Sequence, residues 1–82
     1  MPFEIEYSTK ALDKLQKLDR AMQIQILKRL EVLSGNPFLA KPLSNTFKNF
    51  FSEHVGKYRV IFSIRENTII IAKIEHRDKA YR

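Results

Sequence analysis

The chain has 82 residues, with 15 Lys and Arg against 9 Asp and Glu, and therefore a net charge of +6. This length fits one domain over residues 1–82 and leaves little room for a deep cofactor cavity. The absence of cysteine excludes a disulfide framework, a thiolate zinc site and a thiol nucleophile. The longest wholly apolar run, Ile69–Ala72, is far too short to cross a membrane.

The first third of the chain predicts a strand and two helices. Apolar and acidic residues alternate over 3–7, which indicates a half-buried strand. Ser8 can cap the helix that follows, and Asp19 can cap a second helix whose apolar face runs to Leu33. Gly35 suits the left-handed position just after that helix. The short link between the helices predicts an antiparallel αα-hairpin. The early acidic residues do not fit a signal peptide, so we expect a cytoplasmic protein.

The second half of the chain is strand-like after a polar connector over 38–49. Three apolar runs, Phe50–His54, Tyr58–Arg65 and Thr68–Arg77, are separated by turns of hairpin length. A short tail over 78–82 closes the chain. The order β-α-α-β-β-β predicts an α+β fold in which the αα-hairpin packs on one face of a largely antiparallel small sheet.

Alternation along the last two strands predicts which side chains face the helices and which lie on the opposite face, called the open face here. The residues expected to face the helices are Tyr58, Val60, Phe62, Ile64, Ile70, Ala72, Ile74 and His76. Those expected on the open face are Arg59, Ile61, Ser63, Arg65, Ile69, Ile71, Lys73, Glu75 and Arg77. The open face is therefore expected to be basic, with an apolar region around its isoleucines.

The positive charge is concentrated in the second half. Residues 1–36 have a net charge of +1, whereas residues 37–82 have a net charge of +5. Such asymmetry favours a polyanionic partner, either a nucleic acid or an acidic protein, although a lysine-rich solvated surface has the same pattern.

Two motifs in this half carry a family resemblance. The sequence Val55-Gly56-Lys57-Tyr58-Arg59 lies in an apolar strand region, and His76-Arg77 is followed four residues later by Tyr81. With the preceding helices, this pattern resembles the RelE/ParE superfamily of toxins from type II toxin–antitoxin pairs over essentially the whole chain. The resemblance implies a RelE-like fold and a cognate, RelB-like antitoxin that wraps the toxin.

The resemblance implies two alternative activities. RelE-like members are endoribonucleases that cut messenger RNA in the ribosomal A site with no metal or organic cofactor. ParE-like members inhibit DNA gyrase and do no RNA chemistry. A third alternative, suggested by the basic face alone, is a nucleic-acid-binding module without toxicity. The His-Arg and Tyr motif favours the nuclease, whereas Ser52, where the family often has Lys or Arg, favours the gyrase inhibitor.

Four residues are the catalytic candidates for RNA cleavage. Arg59 and Arg77 match family arginines, and a guanidinium can stabilise the charged phosphorane. Tyr81 matches the family's C-terminal tyrosine, which stacks on a base or assists proton transfer. His54 stands where a basic residue is usual, and an imidazole suits acid or base chemistry. Each has a structural alternative, such as an ion pair of Arg59 or Arg77 with Glu75 or Glu53.

Further residues are candidates for binding. The RNA-binding candidates are Lys41, Lys48, Lys57, Lys73 and Lys79. The antitoxin-binding candidates are Ile61, Ile69 and Ile71, together with the surface of the αα-hairpin. His54 and His76 lack neighbouring ligands at metal spacing, so no metal site is predicted. His76 is expected to pack against the helices rather than to act in catalysis.

Overall fold

The computed structural model describes residues 2–43 and 49–80. The elements in chain order are β1 (Glu4–Tyr7), α1 (Thr9–Lys17), α2 (Arg20–Gly35), β2 (Lys41–Pro42), β3 (Phe50–Val55), β4 (Tyr58–Arg65), β5 (Thr68–His76) and α3 (Arg77–Ala80). The strands form one sheet in the order β1-β5-β4-β3-β2. Only β1 and β5 pair in parallel among these strands. The predicted α+β fold, with two helices on a largely antiparallel sheet, is confirmed.

The two long helices begin at the predicted caps. The Ser8 hydroxyl accepts a hydrogen bond from the Ala11 amide at 3.0 Å, and an Asp19 carboxylate oxygen accepts one from the Met22 amide at 2.8 Å. Each bond satisfies an amide that has no partner within its helix.

The end of α2 differs from the prediction. The helix includes Gly35 and ends at Asn36, whose backbone is extended. The Asn36 side chain accepts a hydrogen bond from the Phe38 amide at 3.2 Å and so caps a short 3-10 helix, Pro37–Leu39. The prediction of a left-handed conformation for Gly35 is wrong. Gly35 is the last residue of α2, and the helix stops because Asn36 is extended and caps the 3-10 helix that follows.

The connector contains a short strand that the sequence pattern did not predict. In β2, Lys41 lies opposite Ser52 of β3, and Pro42 lies opposite Phe51. A proline is tolerated there because β2 is an edge strand of the described sheet. This strand places Lys41 beside the central strands.

A single apolar core lies between the helices and the sheet. Its largest fully buried side chains are Phe62, Ile26, Leu30, Leu33, Ile69, Ile71 and Val60. At the margin of the core, Arg29 of α2 forms an ion pair with Glu53 of β3. Within the described residues, no helix is long and apolar enough to span a bilayer.

A β-bulge interrupts the alternation of β5. Phe62 lies opposite Ile71, but the preceding residue, Ile61, lies opposite Lys73. One extra residue of β5, Ala72, therefore stands between the two pairs. Because successive side chains point to opposite faces, this insertion reverses the facing of one half of β5 relative to the other.

The bulge makes part of the facing prediction wrong. Ile69 and Ile71 were expected on the open face, yet both are 0% exposed and belong to the core, whereas Ile70 lies opposite Ser63. These two residues therefore offer no surface to an antitoxin. Ile61 does lie on the open face, but it is only 5% exposed. After the bulge, from Lys73 to His76, the side chains of β5 lie on the faces predicted for them.

Ser8 connects the bulge to the start of α1. Its hydroxyl donates to the Ala72 carbonyl oxygen at 2.7 Å, and its amide donates to the Ile71 carbonyl oxygen at 2.9 Å. The same hydroxyl oxygen accepts from the Ala11 amide. One side chain thus satisfies a bulge carbonyl and a helix N-terminus together.

Replacing Ser8 by alanine is expected to lower the free energy of unfolding by about 2 kcal/mol, from the lost cap and the lost bond to the bulge, each worth about 1 kcal/mol. Urea denaturation measures this loss. The matched control is Thr9→Ala, an exposed position on the same helix, with an expected loss below about 0.5 kcal/mol. Equal losses in the two variants would contradict the role assigned to Ser8.

Candidate functional site

The strand pairing aligns predicted site residues in two neighbouring rows on the open face. In one row, Arg59 lies opposite His54 on one side and Glu75 on the other. Directly opposite residues in antiparallel strands share a face, so these three side chains project from the same surface. The second row consists of Lys41, Ser52, Ile61 and Lys73.

Three charged residues of these rows form an ion-pair cluster, called the open-face cluster here. The Arg59 guanidinium is 3.1 Å from a Glu75 carboxylate oxygen, and the Lys73 ammonium is 3.3 Å from the other oxygen. The side chains of Arg59 and Glu75 are 17% and 21% exposed, and that of Lys73 is 43% exposed. Two cations thus share one carboxylate, which leaves a net charge of +1.

The ion pair expected as the structural alternative for Arg59 is therefore present, and its partner is Glu75 rather than Glu53. The carboxylate of Glu53 is held instead by Arg29, on the helix side of the sheet. Within the cluster, Glu75 fixes the direction of the Arg59 guanidinium. A positioned guanidinium that faces a groove is suited to bind a phosphate.

Opposing effects set the pKa of Glu75. Burial raises it, but the hydrogen bonds and charges of Arg59 and Lys73 outweigh burial, so the pKa lies below its ordinary value of 4.5. The group is consequently ionised at neutral pH and is a weak proton acceptor. This favours a role for Glu75 in orienting the cations rather than in proton transfer.

An apolar cavity of about 460 Å³ adjoins the cluster. Its apolar walls come from Leu43, Phe50 and Ile61, and the three cluster residues lie along its lining. Apolar surface beside fixed cations matches the two parts of a nucleotide, because a base stacks on apolar or aromatic groups while its phosphate binds cations.

Arg77 and Lys57 lie together near the β3–β4 turn. Arg77 begins α3 rather than ending the last strand, and its amide donates to the Lys57 carbonyl oxygen at 2.7 Å. Both residues are exposed. They stand at the end of the sheet where the row of His54 and Arg59 also lies.

His76 packs on the helix face, as expected. Its ring meets the Tyr58 ring edge-on at a centroid distance of 5.2 Å, and its Nδ1 accepts from the Asp78 amide at 3.2 Å. Of the remaining candidates, Lys79 lies in α3, while Lys48 and Tyr81 lie outside the described residues.

Glu75 is the site residue that sequence reasoning valued too little. A regular hairpin that continued from the Arg65–Thr68 pair would place Ile74, not Glu75, opposite Arg59. Only the alternation of Lys73 and Glu75 with apolar residues hinted that both charges share a face. The bulge that brings Glu75 opposite Arg59 has no signature in the strand pattern.

Comparisons with known proteins agree with this architecture. Residues 5–81 match the sequence model of the family described as the ParE toxin of type II toxin–antitoxin systems. The chain is 33% identical over 76 residues to a Methanocaldococcus jannaschii relative named provisionally as toxin RelE4, covering 89% of this chain and 81% of the relative. It is 29% identical over 86 aligned residues to toxin RelG of Mycobacterium tuberculosis, covering 100% and 99%.

A solved structure extends this similarity to the fold. A chain of the Mycobacterium tuberculosis toxin–antitoxin complex RelBE2 matches with a TM-score of 0.82 at 27% identity, covering 94% of this chain and 93% of that chain. The arrangement of two helices on a mixed sheet is therefore shared with a toxin of solved structure.

The lowered pKa of Glu75 predicts a pH-dependent stability. A carboxyl with a folded-state pKa below its unfolded value stabilises the fold above 4.5, and this contribution disappears as the pH falls through the folded value. The difference in unfolding free energy between wild type and Glu75→Gln is thus expected to be largest near neutral pH and to shrink below 4.5. Urea denaturation at a series of pH values measures it.

The control for this titration is Glu31→Gln, which removes an exposed carboxylate on α2. A wild-type advantage over Glu75→Gln that stays constant from neutral pH to about pH 3 would contradict the ion-pair cluster, because a folded and an unfolded carboxyl would then titrate alike.

Proposed function

Since this chain belongs to the ParE toxin family, within the RelE/ParE superfamily, and is a toxin of a type II toxin–antitoxin system, we propose that it is a ribosome-dependent messenger RNA endonuclease. The observation that carries the proposal is the juxtaposition of Arg59 and Lys73 beside an apolar cavity, with His54 opposite Arg59 on the same face of the sheet. Cleavage of ribosome-bound message would inhibit translation.

The proposed reaction is attack by a ribose 2′-hydroxyl on the adjacent phosphate. The 2′-oxygen forms a bond to phosphorus, and the bond from phosphorus to the 5′-oxygen of the next nucleotide breaks. The products are a 2′,3′-cyclic phosphate and a free 5′-hydroxyl. One proton leaves the 2′-hydroxyl and one joins the 5′-oxygen, so the protons balance.

The open-face cluster supports the charge requirements of this reaction. Arg59 and Lys73 stabilise the extra negative charge of the pentavalent phosphorane, and Glu75 keeps the Arg59 guanidinium aimed at the groove. A phosphate that approaches the cluster competes with the Glu75 carboxylate for the same two cations. Exposed Arg77, at the nearby end of the sheet, supplies a further cation.

His54 is the proposed proton acceptor for the 2′-hydroxyl. It lies on the open face directly opposite Arg59 and is exposed to an approaching substrate. Glu75 is the weaker alternative because its pKa is lowered. By the family resemblance, Tyr81 is proposed to stack on a base or to give a proton to the leaving oxygen.

The proposed partner that restrains the toxin is a RelB-like antitoxin. The solved RelBE2 relative is a toxin–antitoxin complex, which supports the same kind of assembly for this chain. Covering the open-face cavity, where Ile61 lies, would block the cluster. We place the toxin in the cytoplasm, where ribosomes are accessible, and assign the activity to a single domain over residues 1–82.

Inhibition of DNA gyrase is the second candidate function. The matched family is described by its ParE members, and Ser52 occupies a row position where a further cation would strengthen an RNA site. The two functions differ in their target, so an assay of supercoiling by gyrase separates them from cleavage of ribosome-bound message.

Primer extension on a defined message in a translation reaction tests the nuclease. Wild type is expected to produce cuts inside codons in the ribosomal A site. Arg59→Ala is expected to reduce the cleavage rate by about 100-fold or more, the usual loss when one charge-stabilising donor is removed. Arg59→Lys keeps the charge but loses the planar pair of donors, and an intermediate rate is expected.

The matched control is Arg20→Ala, which removes an exposed arginine at the start of α2 and is expected to cut like wild type. Circular dichroism checks that each variant is folded. Intact message in the presence of folded wild type would overturn the proposal, and inhibition of gyrase supercoiling by the same sample would then support the second candidate.

A further inference from the structure

A stripe of lysines on α1 is not used by the proposed reaction. Lys10, Lys14 and Lys17 follow one another at spacings of four and three residues, so they lie on one side of the helix. Lys10 and Lys17 are exposed, and Lys14 is half-buried with its ammonium 5.9 Å from the centre of the Tyr58 ring. We call this stripe the α1 lysine face.

The α1 lysine face borders two grooves. One, of about 390 Å³, lies between α1 and β5 and is lined by all three lysines, Glu75 and His76. The other, of about 560 Å³, lies between the helices and the β3–β4 turn and is lined by Lys14, Lys17 and Lys57. The lysines therefore stand in concave surface rather than on an isolated ridge.

The first groove is continuous with the candidate site. Glu75 lines both this groove and the open-face cavity. The continuity has a structural cause, because β1 pairs with β5 only as far as Ile71. In the described sheet, β5 from Ala72 to His76 is therefore the border strand, and a ligand can pass over it from the open face to α1.

The charges along this path favour an anion. Three carboxylates line the two grooves. Asp13 and Glu75 line the first, and Asp19, whose carboxylate already accepts the Met22 amide, lines the second. Glu75 is already paired with Arg59 and Lys73, and the four lysines outnumber the carboxylates, so the path is positive. From Lys10 to Lys17 the helix rises about 10 Å, so the lysines can contact more than one phosphate of a strand that runs along α1.

We infer that the α1 lysine face binds the phosphodiester backbone of an RNA strand that continues over the β5 border from the open-face cluster. This inference rests on the proposed function and adds a binding track to it. Because this strand continues from the cluster, it is the message that the cluster is proposed to cut. The lysines hold the strand and take no part in bond breaking.

The test is the binding of RNA by Lys10→Gln/Lys17→Gln, which removes the two exposed charges and leaves half-buried Lys14 in place. Loss of two phosphate contacts on a single strand is expected to reduce the slope of log K against log salt by about 1.4, and the affinity at 0.1 M salt by about 25-fold. Arg20→Gln/Arg65→Gln removes the same charge from exposed positions at the start of α2 and at the end of β4, and is the matched control. It is expected to leave the affinity within about twofold of wild type and the slope within about 0.3.

Two probes separate the sources of the phosphate. Reduced binding to a single-stranded RNA oligonucleotide supports the track for the message, whereas reduced binding only to small ribosomal subunits without message would assign these lysines to ribosomal RNA and overturn the inference. Equal losses for the variant and the control on both probes, or no loss for either, would overturn the inference. Because binding is measured without cleavage, a wild type that binds RNA but never cuts would remove the proposed function and leave this track in place.

Discussion

The bulge at Ala72, held by Ser8, is the constraint on which the rest of the structure depends. The Ser8 hydroxyl satisfies the Ala72 carbonyl, and the same oxygen caps α1. The bulge lets one strand serve two environments. The first half of β5 contributes Ile69 and Ile71 to the core, and the second half presents charged residues on the opposite face of the sheet.

Without the bulge, the two central strands would be incompatible with their own sequence. Regular pairing would place Lys73 opposite Val60, on the face that packs against the helices, and would leave Arg59 opposite Ile74. An unpaired ammonium in the core costs several kcal/mol or more. The bulge avoids that cost and brings Glu75 opposite Arg59, so the stability of the fold and the assembly of the charged cluster have the same local cause.

Much of the fold follows from short-range patterns in the sequence. The caps at Ser8 and Asp19, the apolar faces of both helices and the hairpin turns were predictable because each depends on neighbouring residues. The edge strand β2 was not, because two residues containing a proline carry no periodicity. The open-face arginine was predictable from its motif, and strand alternation placed Glu75 on the same face. Their directly opposite positions depend on a register change that only tertiary contacts reveal. The burial of Ile69 and Ile71 escaped prediction for the same reason.

The central claim is that the open-face cluster promotes attack by a ribose 2′-hydroxyl. The most direct measurement uses ribosome-bound message that carries a single 2′-deoxynucleotide on the 5′ side of a mapped cut, beside the unmodified message. The account predicts that cleavage disappears at the modified position, and that elsewhere the products end in a 2′,3′-cyclic phosphate. Undiminished cleavage at the deoxynucleotide, with products ending in a 3′-hydroxyl and a 5′-phosphate, would contradict it.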